Sequence, residues 1–285
     1  MSTNATKRQI ARDRFNLQNP YAHLNGEGGF EALACNAIKP PIRVRRQEIF
    51  EGRRGNRRLP DRVVIEAARN LQRKMWLQKD SLYPDHQVPD PVQVLDPTQA
   101  LLGLGLDCDL QESLGQYSDR SGTFEVAGLI DSSSYKVSIS RQFSPEVRRF
   151  TAAHELGHAI LHPDMTLHRD RGLDGANTHN KKDWREREAD IFATEYLMPE
   201  RLVRQRFEQI FGTNPFTITD DTAFALASVN QDELRKRLPT LRKLSRVLAT
   251  TGSYGGKHFT ALTGQFRVSP EAMAIRLEEL GFLQS

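Results

Sequence analysis

Cysteine is scarce. The 285-residue chain holds two, Cys35 and Cys108, far apart and in no C-x-x-C pair. That argues against a disulfide framework and against a cysteine zinc site, and it fits a reducing compartment, read here as the cytoplasm. Long apolar runs are missing too. None approaches the roughly 20 residues that span a bilayer, so no membrane association is expected. The opening MSTNATKRQIARDRF has no apolar stretch, so no secretory signal is expected. No internal repeat is visible. With 38% hydrophobic and 27% charged residues, the composition is that of a soluble protein long enough to bury a core.

The net charge of +4 is unevenly spread. Residues 1–62 carry 13 Lys/Arg against 6 Asp/Glu, and the remainder carries 27 against 30. The basic excess concentrates in IRVRRQEIFEGRRGNRRLPDR, from Ile42 to Arg62. Such a run can touch nucleic acid or an acidic partner, but a solvated, partly disordered tail is the favoured reading. Residues 1–60 have no sustained hydrophobic period and are read as a basic, partly disordered extension.

Periodicity begins beyond it. Val64, Ala67, Ala68, Leu71, Met75 and Trp76 have helical spacing, with Asp61 as a candidate N-cap. A short helix is expected at 97–102 and a strand at 106–110. Phe124–Ile130 and Tyr135–Ser140 read as a hairpin. Ser144-Pro145-Glu146 opens a helix that runs to about His162: a capping serine, proline at the first position, an acid in the first turn. A second helix is expected from about Asp183 to Leu197. Further helices are expected at 200–211, 231–248 and 269–280, with Gly252–Gly256 as a linker.

The chemistry lies in His154-Glu155-Leu156-Gly157-His158. Histidines four apart lie one turn apart on one helix face, so both can reach a single ion at the Zn–N distance of about 2.0–2.1 Å. Glu155 is the candidate catalytic base, and His154 and His158 are candidate metal ligands. A catalytic zinc needs a third protein ligand and one open position. The second helix supplies Glu186 as that ligand. Asp190, one turn on, is placed to fix the tautomer of a ligating histidine. Glu188 sits about 200° round the helix from Glu186 and should point away. The spacing of Asp183 and Glu186 also fits a capping box, the competing explanation for Glu186. His162 continues the stripe, but three ligands a turn apart on a straight helix would span about 12 Å, so it is read as packing or surface. Tyr196, His168 and His179 are the candidates for an oxyanion donor.

These residues are familiar as a set. Arg149 to His162 (RFTAAHELGHAILH), then Glu186 to Ala193 (EREADIFA) and Tyr196-Leu197-Met198-Pro199, resemble the ImmA/IrrE-type metallopeptidase family. The likeness extends over about 63–211 and resumes weakly at 259–283. It implies an α+β fold: a mostly helical, zincin-like domain with a small β-sheet, plus a helical helix-turn-helix-like C-terminal module. It also implies Zn2+ on His154, His158 and Glu186, and a protein substrate, a helix-turn-helix repressor whose cleavage relieves transcriptional repression. The expected divisions are an extension at 1–60, a metallopeptidase domain at 61–211, a helical linker at 212–256 and the C-terminal module at 257–285. Two other functions compete: a DNA-binding regulator reading through the helix at 269–280, and an interaction module with a dead site. Nucleic acid is the less favoured partner, because that helix carries Glu271, Glu278 and Glu279 against the single Arg276.

Overall fold

In a computed structural model, residues 42–52, 58–84, 90–119, 122–131, 134–163, 167–171 and 184–284 are described. The central element is the helix α6, Pro145–Leu161. Ser144 caps it, its hydroxyl accepting from the Val147 N–H, and Pro145 takes the first position. Every residue from Phe150 to His158 is buried. The helix is thus covered on all sides, as only a core helix is.

One cover is a sheet of five strands: β1 (Asp107–Gln111), β2 (Gln116–Asp119), β3 (Gly122–Asp131), β4 (Lys136–Ser140) and β5 (Leu167–Arg171). Their order is β1-β4-β3-β2, with β5 also paired to β3. The expected hairpin is the antiparallel β3–β4 pair, Gly128 opposite Ile139, and β1 joins β4 in parallel. The other cover is α7, Trp184–Leu197. The two helices approach so closely that a Cβ on Gly157 would stand 3.1 Å from Ala189 Cα and 3.3 Å from Phe192 Cβ. Only glycine leaves room for that contact without moving a backbone.

Before the sheet come α1 (Arg46–Ile49), α2 (Asp61–Leu77), α3 (Lys79–Leu82), α4 (Pro91–Val94) and α5 (Pro97–Gly103). The helix α2 buries Val64, Ala67, Ala68, Leu71 and Met75, the set its spacing predicts apart from Trp76, which is exposed. Its N-cap is Pro60, not Asp61; Asp61 is the first helical residue, where its charge suits the free N–H groups. The expected extension at 1–60 is also corrected in part. Residues 1–41 and 53–57 lie outside the described residues, but Ile42, Val44, Ile49 and Phe50 are core. Arg46 Nε donates to the Ile160 carbonyl at 2.5 Å, serving one of the carbonyls left unpaired where α6 ends. The apolar residues of this run are too far apart to show a period, so the surrounding arginines hid them.

After α7 the chain forms α8 (Glu200–Phe211), β6 (Phe216–Thr217), α9 (Asp220–Ala227), α10 (Gln231–Arg237), α11 (Leu241–Thr250), β7 (Ser253–Tyr254), β8 (Lys257–His258), α12 (Leu262–Phe266), α13 (Pro270–Glu279) and β9 (Leu283–Gln284). Two expectations fail here. The helix foreseen at 231–248 is two helices, because Pro239 disfavours helix at Leu238 and lacks a donor of its own; Thr240 then caps α11. Gly252–Gly256 is a β7–β8 hairpin rather than a linker. Gly255 and Gly256 take φ of 56° and 75°, the left-handed pair that a two-residue hairpin turn needs.

Residues 40–285 pack as one unit, and one hydrophobic cluster runs from Ile42 to Leu283. An ion triad centred on the buried Glu195 ties its C-terminal part to the rest. Glu195, 2% exposed, accepts from Arg69 Nε at 2.9 Å and pairs with Arg276. Arg276 Nε also donates to the Met198 carbonyl at 3.1 Å. On the outer side of α13, Arg242 Nε bonds Glu278 and its Nη1 bonds Glu271, at 2.7 and 2.5 Å. Removing one member of a buried pair strands a charge, at about 3–5 kcal/mol, whereas exposed pairs contribute about 0–1 kcal/mol. Arg276→Ala leaves Glu195 paired with Arg69, so it should lower the urea-unfolding free energy by about 1.5–3 kcal/mol, the loss of a hydrogen bond to a charged group, and Arg246→Ala, at the exposed partner of Glu271, by no more than about 1 kcal/mol.

Candidate metal centre

Residues from α6 and α7 meet across the Gly157 contact. His154 and His158 are 0% and 1% exposed, and their Nε2 atoms are 3.0 Å apart. Glu186 reaches over both: one carboxylate oxygen is 3.4 Å from His154 Nε2, the other 3.5 Å from His158 Nε2. Among the described residues these three form the one group of donors close enough to share an ion.

The chemistry of this donor set fits a divalent metal. Ligands at about 2.0–2.1 Å from a tetrahedral ion stand about 3.3–3.4 Å from one another, close to the three separations seen. Two imidazoles and one carboxylate also match the ligand types of catalytic zinc sites. His154 Nδ1 lies 3.0 Å from Asp190 Oδ1. A carboxylate accepts, so the ring carries its hydrogen on Nδ1 and turns the Nε2 lone pair toward the other donors.

Glu155 lies outside this donor group. It is fully buried and its carboxylate packs against β3: a Cβ on Gly128 would fall 2.7 Å from Glu155 Oε1 and 2.5 Å from Thr151 Cγ2. The glycine in β3 is thus what leaves space for an acid at position 155.

Of the two readings given for His162, packing holds and surface does not, and Glu188 points away from the donor group as expected; what neither reading gave is that these two residues meet. His162 is not at the surface; it is 8% exposed, its Nδ1 lies 3.1 Å from His158 Nδ1, and its Nε2 lies 3.0 Å from Glu188 Oε2. Burial lowers its pKa, against the opposing pull of Glu188. Glu188 does point away from the donor group, but into the interior, where it is 1% exposed and accepts from the Leu59 N–H at 2.6 Å. The i+4 step from His158 to His162 was the available signal; its partner on α7 is set by how the helices cross. Tyr196, one of the candidate oxyanion donors, is fully buried, and its hydroxyl has no hydrogen-bond partner among the described residues. Burial pushes its phenol pKa up. Asp183, His179 and the side chain of His168 lie outside what is described.

A divalent ion that binds the folded chain alone should stabilise it by about 2.7 kcal/mol at a hundredfold excess over its Kd. Scanning calorimetry of chelator-treated protein should accordingly show a rise in Tm on adding the metal, and no rise for His158→Ala or Glu186→Ala.

No curated protein matches the chain well enough to name a relative. Residues 111–214 match the family model Peptidase_M78, the IrrE N-terminal-like domain. That span begins at the last residue of β1, ends just after α8, and contains His154, Glu155, His158, Glu186 and Asp190. With the motif that opens on His154, the match makes residues 111–214 similar to an IrrE N-terminal-like peptidase domain and supports the resemblance to the ImmA/IrrE family.

Proposed function

We propose that this chain is a zinc-dependent endopeptidase of the cytoplasm that cleaves a helix-turn-helix transcriptional repressor and so relieves repression. The observation that carries the enzymatic part is the convergence of His154 Nε2, His158 Nε2 and the Glu186 carboxylate on one small volume, within the segment that matches a peptidase family.

His154, His158 and Glu186 would hold the ion, and Asp190 keeps His154 in the tautomer that can bind it. Once bound, zinc supplies a Lewis acid that acidifies water and polarises the scissile carbonyl. Glu155 takes the proton of the attacking water on its carboxylate and delivers it to the leaving amine nitrogen. The burial of His154, Glu155 and His158 keeps this transfer in a low-dielectric setting, where a positioned carboxylate acts more strongly than in water.

The repressor as substrate follows from the ImmA/IrrE resemblance. The DNA-binding alternative loses support from the packing of α13, whose single arginine, Arg276, is turned inward on Glu195. Glu271 and Glu278 meanwhile occupy Arg242, leaving little to attract a phosphate backbone.

Glu155→Gln should bind zinc as the unaltered chain does and lose about 10²–10⁴-fold in peptidase rate. The assay is incubation with repressors encoded beside the gene, with and without chelator, read by mass spectrometry of the products. A chelator-insensitive product, or full activity of Glu155→Gln, would refute the assignment.

A further inference from the structure

Behind the donor group runs a line of hydrogen bonds that the proposed reaction does not use. The Leu59 N–H donates to Glu188 Oε1 at 2.6 Å. Glu188 Oε2 lies 3.0 Å from His162 Nε2. His162 Nδ1 lies 3.1 Å from His158 Nδ1, and His158 Nε2 faces Glu186. The indole of Trp184 stands edge-on to the His162 ring, centroids 5.8 Å apart, and helps enclose it.

Each joint dictates the next. The Glu188 carboxylate accepts, so His162 carries its hydrogen on Nε2. A neutral imidazole has one N–H, so His162 Nδ1 is left as an acceptor. It can then pair only with a hydrogen on His158 Nδ1, which leaves His158 Nε2 as a lone pair. His154 reaches the same state by a shorter route, directly from Asp190. With both rings so arranged, two Nε2 lone pairs face each other at 3.0 Å, an arrangement that a cation between them relieves.

We propose that His162 and Glu188 are positioning residues, a carboxylate–imidazole relay that holds His158 in the tautomer and orientation that bind the metal. The inference rests on reading His154, His158 and Glu186 as a metal centre. Packing alone is a poor explanation for the pair. A buried carboxylate is expensive to desolvate, and apolar residues would fill the same space without that cost. Both Glu188 oxygens are occupied, one by the Leu59 amide and one by His162, so its geometry is determined from two sides. Partners behind a ligating histidine commonly contribute 10–100-fold in metal affinity.

The test uses the full-length chain and measures zinc Kd by competition with a chromophoric chelator. The visible spectrum of the cobalt(II)-substituted protein reports ligand geometry. His162→Leu should weaken zinc binding about 10–100-fold and alter the cobalt spectrum. His162→Gln offers an amide oxygen to His158 and an amide N–H to Glu188, and should recover affinity to within a few-fold of the unaltered chain. Because the two residues act in series, the His162→Leu/Glu188→Leu double variant should lose little more than either single variant. Unchanged zinc affinity in His162→Leu would overturn the relay while leaving the metal centre standing. So would losses that add in the double variant, or a His162→Gln variant as weak as His162→Leu. An unaltered chain that binds no zinc would overturn the metal centre and the relay together. If His162→Leu fails to fold, the outcome for His162→Gln decides.

Discussion

The contact between Gly157 and Ala189 sets the distance between α6 and α7, and the metal centre depends on that distance. Three histidines rise along one side of α6 and its cap, at 154, 158 and 162. Three acids follow on the first turns of α7, at 186, 188 and 190. Each acid meets the first helix at a different place: Glu186 over the facing imidazole nitrogens, Asp190 behind His154, Glu188 behind His162. Carboxylates lengthen or shorten their reach by rotamer changes of an ångström or so, but a helix pair shifts as a body. All three meetings are therefore governed by the same backbone approach, with β3 closing the opposite side through Gly128 and Glu155.

Charge is handled differently on the two sides of the protein. Around the histidines, carboxylates face buried imidazoles, whose charge depends on conditions. Around the C-terminal helix, buried Glu195 faces two guanidiniums, Arg69 and Arg276, which stay charged at any accessible pH. The second arrangement suits a permanent joint between helices α2, α7 and α13. The adjoining exposed network of Arg242, Arg246, Glu271 and Glu278 adds orientation rather than much stability.

Much of this was legible in the sequence. Helices at 61–77, 145–161 and 200–211 and the hairpin before α6 follow from spacing, caps and turn residues. The choice of Glu186 over Glu188 for the donor group followed from its alignment with Asp190 on one face of α7. What escaped needed knowledge of how elements meet. The burial of Ile42 and Phe50 is imposed by α2 and α6, against a local composition that reads as solvated. The inward turn of Glu188 depends on the Leu59 backbone lying on the far side of α7. The break at Pro239 and the turn at Gly255-Gly256 were present as local signals, and there the misreading was of residues rather than of tertiary structure.

The absence of a side chain at Gly157 also bears on how substitutions in this domain would be interpreted. The position has no functional group, yet a side chain there would press on Ala189 Cα at 3.1 Å and Phe192 Cβ at 3.3 Å, against the contact that aligns three acid–imidazole pairs. A saturation map scored on function would rank it beside the ligands themselves. Separating the two kinds of intolerance would take a compensating cavity on the facing helix, at Ala189 or Phe192: spacing can be restored from the other side, a missing donor atom cannot.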